Sequence, residues 1–158
     1  MPVEIERKFL VTGTEWRHAN GIHFCQGYLS RGKGTTVRVR IAGERGYLTI
    51  KGVSKGTSRA EFEYEIPVEE ARQLLKLCEG QLIQKVRYVV KHEGTTWEVD
   101  EFMGENAGLV VAEVELQTED QQIARPAWLG QEVTQDTRYF NSSLSTKPYS
   151  VWRENPKT

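Results

Sequence analysis

The sequence predicts a mainly β fold: an antiparallel sheet of eight strands closing on itself as a barrel, with a few flanking helices. Three observations predict it. Apolar and polar residues alternate by twos through seven of eight short runs, the period of a half-buried strand. Glycine-rich turns separate several of these runs, as between hairpins of an antiparallel sheet. The polar faces are ionisable almost throughout, and each sign tends to keep to its own strand.

The first run is VEIERKFLV, residues 3 to 11: Val3, Ile5, Phe9 and Val11 fall on one side, with Arg7 the intruder, and Glu4, Glu6 and Lys8 on the other. A polar loop over 12 to 22 leads to HFCQGYLS, and RGKG turns the chain into TTVRVRIA, where Arg38 and Arg40 alternate with Val37, Val39 and Ile41. After GERG, the run YLTIKG sets Leu48 and Ile50 against Thr49 and Lys51. A longer connection precedes AEFEYEI, where Glu61, Glu63 and Glu65 oppose Phe62, Tyr64 and Ile66. Pro67, acidic residues in the first turn and the stripe Val68, Ala71, Leu74, Leu75 and Cys78 predict a helix over 68–79, ended by Gly80. Strands resume in QKVRYVVKH, with Lys85 and Arg87 on one face. TWEVDEF follows with Glu98 and Asp100, and VVAEVEL with Glu113 and Glu115. TEDQ at 118–121 reads as a capping box opening a short helix that Pro126 stops. From Gly130 onward the pattern is mixed and predicts short helical turns with a loose end.

A chain of 158 residues with no linker or repeat reads as one domain, 1–158. Its 21 basic and 22 acidic residues leave a net charge of −1, which argues against a general nucleic-acid or membrane-surface binder. Cys25 and Cys78 fit no CxxC pattern, and the chain opens directly into a charged strand. Both point to a reduced, cytoplasmic setting without a secretory signal.

A solvated sheet face is the ordinary home of alternating charge. Here, paired carboxylates recur on four strands and paired cations on two more, which instead favours a closed sheet with its charged side inward. Such an interior must hold water, ions and a charged guest, because dry burial of so many charges is prohibitive. The outward apolar faces then need cover from the helix and the C-terminal turns. Cations would grip a polyanion, and carboxylates would hold a divalent metal through hard oxygen ligands. A polyphosphate with Mg²⁺ or Mn²⁺ satisfies both walls.

Glu4-Ile-Glu6-Arg-Lys8 resembles the E-x-E-x-K signature of the CYTH superfamily, the triphosphate tunnel metalloenzymes. QGYL, VRVR, LTIK, EFE, KVRY, WEVD, AEVE and EVTQDTRY resemble its successive blocks in order, over roughly residues 2–145. The length and the EVTxDxRY ending are most similar to short bacterial members that hydrolyse inorganic tripolyphosphate. The resemblance implies a barrel forming a triphosphate tunnel and a metal-dependent triphosphatase in which water attacks a terminal phosphorus. It implies that Glu4, Glu6, Glu113 and Glu115 bind the ion, with Asp100 and Glu98 serving a second ion or its waters. Lys8, Arg38, Arg40, Lys51, Lys85 and Arg87 would bind phosphate, with Glu61 and Glu63 orienting those cations from behind; Arg138 is expected to reach the tunnel mouth and bind phosphate there, the alternative being a pair with Asp136. Lys8 and Tyr28 match positions that handle protons in some short members. Inorganic tripolyphosphate or another triphosphate compound is the implied partner; a homodimer is left open.

GYLSRGKG nearly spells a P-loop, but Gly34 stands where Ser or Thr must meet Mg²⁺ and a strand follows. It reads as a hairpin loop whose Arg31 and Lys33 greet anions. His18, His23 and His92 lack metal-ligand spacing. The rival readings are a class IV-type adenylate cyclase, a thiamine triphosphatase, an RNA 5′-triphosphatase and, from another class, a non-catalytic polyphosphate-binding module.

Overall fold

A computed structural model of the chain describes residues 3–32, 34–53, 55 and 57–153. Lys33 and the loose end expected at 154–158 lie outside the described residues. The strands are β1 (Val3–Val11), β2 (Ile22–Arg31), β3 (Thr35–Ala42), β4 (Arg45–Gly52), β5 (Ser58–Ile66), β6 (Glu79–His92), β7 (Thr95–Phe102), β8 (Val110–Glu115) and β9 (Leu129–Glu132). The helices are α1 (Val68–Leu75), α2 (Asn141–Leu144) and α3 (Tyr149–Trp152).

The strands run in the order β5-β4-β3-β2-β6-β7-β8-β1-β9, all antiparallel, and β5 returns to pair with β1. That last pairing, Val3 opposite Ala60 and Ile5 opposite Ser58, closes eight strands into a barrel. β1 is the seam. One edge binds β8 from Glu6 to Leu10; the other binds β5 and then β9, with Phe9 opposite Glu132. The ninth strand departs from the helical turns expected after Gly130; at four residues it is too short to show a period. Gly130 lies so close to β1 that an added Cβ would sit 3.0 Å from the Leu10 carbonyl oxygen. β9 also explains the intruder of the first run, because Arg7 points outward and pairs with Glu132 at 2.7 Å.

Two expected helices change. α1 ends at Leu75 rather than near 79: the chain turns at Lys76 and Leu77 and enters β6 at Glu79, with Gly80 at φ +71° just inside the strand. α1 packs Ala71 onto Gly46, where a Cβ would fall 2.7 Å from that of Ala71, so only glycine allows this seat. The segment after Thr118 forms a turn, not a helix. Its capping groups satisfy one another: the Thr118 hydroxyl donates to Asp120, and the Gln121 side chain accepts from the Gln117 amide.

The apolar residues divide into two bodies. Outside the barrel, Phe9, Trp97, Val99, Ala112 and Val114 are covered by Trp16 and Trp128. These two come from the irregular segments that follow β1 and precede β9. Phe9 and Trp128 both pack edge-on to Trp97, at 5.7 and 5.8 Å. The C-terminal turns, expected as outer cover, instead fill one end of the barrel. There Val133, Tyr139 and Leu144 meet Leu10, Ile83, Phe102 and Val111. These last four continue, one step further along their strands, the inward positions of Lys8, Lys85, Asp100 and Glu113. The interior is thus charged along most of its length and apolar at its floor.

Candidate active site

A cavity of about 230 Å³ occupies the barrel interior. Glu4, Glu6, Lys8, Tyr28, Arg38, Arg40, Lys51, Glu61, Glu63, Lys85, Arg87, Glu98, Glu113 and Glu115 all line it. Strand alternation delivers them, since every one stands at an inward position of its strand. Two expected site residues stand elsewhere. Arg138 pairs with Asp136 at 2.7 Å and lies over the Trp152 ring, apart from the cavity lining. Asp100 is almost fully buried behind the cavity wall and engages cations on both sides.

Those cations are Lys85, 2.7 Å from one Asp100 oxygen, and Arg87, which grips both oxygens at 2.7 and 2.9 Å. The fork fits a carboxylate as two parallel bonds. Burial alone would raise the Asp100 carboxyl, but Arg87 and Lys85 together hold it below the usual aspartate range. Arg87 is raised by the same contact against the effect of its own burial, whereas burial brings Lys85 down, with Arg87 and Arg40 adding to it. Burial also lowers Arg40, followed by the charges of Arg38 and Arg87. The cation wall therefore carries positive charge beyond what Asp100 offsets. The Phe24 ring steadies it from beneath, with the Arg40 and Arg87 guanidinium carbons 4.8 and 4.7 Å from its centroid. Arg38 adds a buried Nε with no hydrogen-bond partner among the described residues. A buried guanidinium N–H without an acceptor is costly, and an anion in the cavity would satisfy it.

Behind the cations stand the two glutamates expected there. Glu63 lies 3.6 Å from Arg38 and accepts from Thr49, which also accepts from Arg38. Glu61 lies 3.5 Å from Lys51, whose ammonium donates to Glu4 at 2.9 Å. Glu65, the next of the series, is exposed and faces Arg45 outside the cavity.

The acidic wall comes from β1, β7 and β8, where Glu6 stands opposite Glu115 and Glu98 opposite Glu113. Burial raises the carboxyls of Glu6, Glu98 and Glu115, and neighbouring glutamates raise them further. Among the described residues no three acidic, histidine or cysteine side chains are gathered as a ready-made metal cage. The donor set nonetheless suits a hard divalent cation: the five glutamates of β1, β7 and β8 share one cavity, and a bound ion would offset the burial and the mutual repulsion that raise three of them.

Lys8 lies between the walls. Its ammonium donates to the Tyr139 carbonyl at 3.4 Å, is 3.7 Å from Glu113 and stands over the Phe140 ring. Tyr28 lines the cavity from β2, opposite Arg38 in register.

Several lining residues escaped the sequence reading. Arg59, 3.7 Å from Glu4, continues the alternation of Glu61 and Glu63 and could have been found that way. Thr36 continues the alternation of Arg38 in the same manner. Phe140, Asn141 and Ser142 come from an aperiodic stretch that gives no such signal.

Comparison with known proteins agrees with this geometry. Residues 2–149 match the CYTH domain family. The chain belongs to the CYTH family. An inorganic triphosphatase of Acetivibrio thermocellus is 51% identical to this CYTH chain over 156 residues, covering 98% of it and 100% of that protein. An inorganic triphosphatase of Nitrosomonas europaea is 37% identical over 146 residues, covering 90% and 96% of the two chains. A crystal structure of an inorganic triphosphatase matches with a TM-score of 0.66 at 34% identity, over 89% of this CYTH chain and 96% of the other. An adenylyl cyclase candidate from Hippeastrum, with a dominant triphosphatase activity, has a TM-score of 0.57 at 15% identity over 75% and 80% of the two chains. It shares the fold.

Proposed function

We propose that this CYTH protein is a divalent-metal-dependent inorganic triphosphatase that hydrolyses tripolyphosphate by attack of water on a terminal phosphorus. The observation that carries the reading is one cavity with cations on one wall and carboxylates on the other. The 51% identity to an inorganic triphosphatase supports it independently.

Arg38, Arg40, Lys51, Lys85 and Arg87 grip phosphate oxygens, and the guanidinium groups do so through paired N–H donors. Glu61 and Glu63 hold Lys51 and Arg38 in place for that task. Asp100 serves as the buried counter-ion of Lys85 and Arg87, a change from the metal role expected of it. Glu4, Glu6, Glu98, Glu113 and Glu115 would hold the metal, Mg²⁺ or Mn²⁺, which when bound would offset charge developing on the phosphate oxygens. Lys8 faces acceptors on both sides and acts as a donor to phosphate, with Tyr28 placed to exchange a proton beside Arg38. Arg138 is bound to Asp136 outside the cavity and has no part in the grip. The reading includes a cytosolic setting, consistent with two free cysteines. Among the described residues no helix is long and apolar enough to cross a membrane.

The test is turnover of tripolyphosphate, pyrophosphate, ATP and thiamine triphosphate with Mg²⁺, Mn²⁺ and Ca²⁺. Tripolyphosphate should be the fastest substrate, with no turnover after chelation of the metal. Activity that survives chelation would overturn the reading.

A further inference from the structure

We propose that Asn141 contacts the substrate itself, donating an amide N–H to the phosphate group bound deepest in the cavity. The ligand assumed is that of the triphosphatase reading above. Asn141 lines the cavity at its floor, between Phe140 and Ser142, where the C-terminal turns fill the barrel end. Its carboxamide orientation is fixed by chemistry, not left to rotate. Its oxygen accepts from the Gln26 amide at 3.3 Å and from the Lys85 ammonium at 3.4 Å. Gln26, fully buried, is itself held by Arg40, whose Nε donates to the Gln26 oxygen at 2.8 Å.

Arginine and lysine are donors only. Arg40 therefore demands the oxygen of Gln26, which turns the Gln26 NH₂ toward Asn141. Gln26 and Lys85 together then demand the oxygen of Asn141. The one group of Asn141 left over is its NH₂, and no described residue accepts from it. Asn141 lines the cavity, touching Lys85 directly and linked to Arg40 through Gln26. A further cation there would face Arg40, Lys85 and Arg87 at close range. A neutral amide adds a donor without that repulsion.

The experiment compares wild type, Asn141→Ala and Asn141→Asp by two readouts: tripolyphosphate turnover with Mg²⁺, and calorimetric binding of tripolyphosphate to the metal-free protein. Asn141→Ala should raise KM and weaken binding about tenfold or more, with a smaller change in kcat. Asn141→Asp keeps an oxygen for both Gln26 and Lys85 but replaces the cavity-facing donor by an acceptor, so it should bind worse than Asn141→Ala. A residue that only braced Gln26 and Lys85 would behave the other way, with aspartate restoring what alanine loses. That restoration overturns the proposal, as does an Asn141→Ala protein within twofold of wild type in both readouts. Should alanine fail to fold, the near-isosteric Asn141→Asp decides alone, and binding equal to wild type overturns the proposal. A wild type that binds tripolyphosphate without hydrolysing it would sink the triphosphatase reading, while the binding comparison still judges Asn141.

Discussion

Glu6 and Glu113 stand diagonally across the β1–β8 ladder and line the same cavity, and their acidities are driven apart. Burial, then the charge of Glu113, raises the Glu6 carboxyl well above its ordinary value. Burial acts against ionisation of Glu113 too, but the charges of Lys8, Arg87 and Lys85 bring it well below. Of these two carboxylates facing the same space, Glu6 is therefore the first to take up a proton as pH falls. A divalent ion binding there competes with that proton.

Metal affinity should therefore fall as pH drops through the raised Glu6 value and level off above it. Calorimetric Mn²⁺ titrations across the acidic and neutral range check this. Glu6→Gln should flatten that dependence and lower turnover by at least about a hundredfold, while the protein stays folded. A folded Glu6→Gln enzyme with near wild-type activity would remove Glu6 from the metal site.

Arg38 and Phe9 separate grip from stability. Arg38→Ala should weaken triphosphate binding by about 1.5–3 kcal/mol, the usual worth of hydrogen bonds to a charged group, with little change in melting temperature. Phe9, wholly buried outside the barrel, should cost about 3–5 kcal/mol of stability when cut to alanine. Substrate KM and denaturant midpoints measured on both variants decide the matter. An Arg38→Ala protein that melts early with KM unchanged contradicts the inward register.

Asp100→Asn should destabilise the fold by about 3–5 kcal/mol, because it strands Lys85 and Arg87 as buried cations. The pH dependence has a definite sign. The Asp100 carboxyl is depressed in the folded protein, so the stability it lends is present above the unfolded value of about 4. That stability is lost as pH falls through the lower folded value. In acid denaturation the wild type should thus lose an advantage over Asp100→Asn that is full at neutral pH. Equal unfolding free energies at neutral pH would contradict the counter-ion role.

Tripolyphosphate should be turned over with a kcat/KM at least about tenfold above that for ATP, a gap of ~1.4 kcal/mol in transition-state binding. The cavity lining is built of groups suited to phosphate and metal, and its few aromatic and amide members sit at the floor or on β2. Incubation with ATP and Mn²⁺ should give little or no cyclic AMP. Cyclic AMP as the main product would favour a cyclase.

The barrel and its charged lining were legible because a strand alternates by two and so states its inward face in plain sequence: Glu4-x-Glu6-x-Lys8, Arg38-x-Arg40 and Glu113-x-Glu115 all point as read. Alternation does not report depth. Asp100 shares the parity of Glu98 but lies one step nearer the floor, where Lys85 and Arg87 close over it. Nor does it report what lies between strands. β9 has four residues, too few for a period, and the segment carrying Asn141 has none. For Arg138, alternation offered no choice between the tunnel mouth and its neighbour Asp136, and its guanidinium grips Asp136 two residues earlier.

The apolar floor made by Leu10, Ile83, Phe102, Val111, Val133, Tyr139 and Leu144 carries a kinetic consequence. On the triphosphatase reading, a passage stopped at one end would send substrate and both products through the same opening. The fragment held against the floor would then leave only after the outer one, so release would be ordered by depth. The inner fragment then competes with fresh substrate, while the outer one, added alone, meets an enzyme whose deeper position is already free. Product-inhibition patterns for orthophosphate and pyrophosphate would thereby reveal whether the inner or the outer terminal phosphorus is the one attacked.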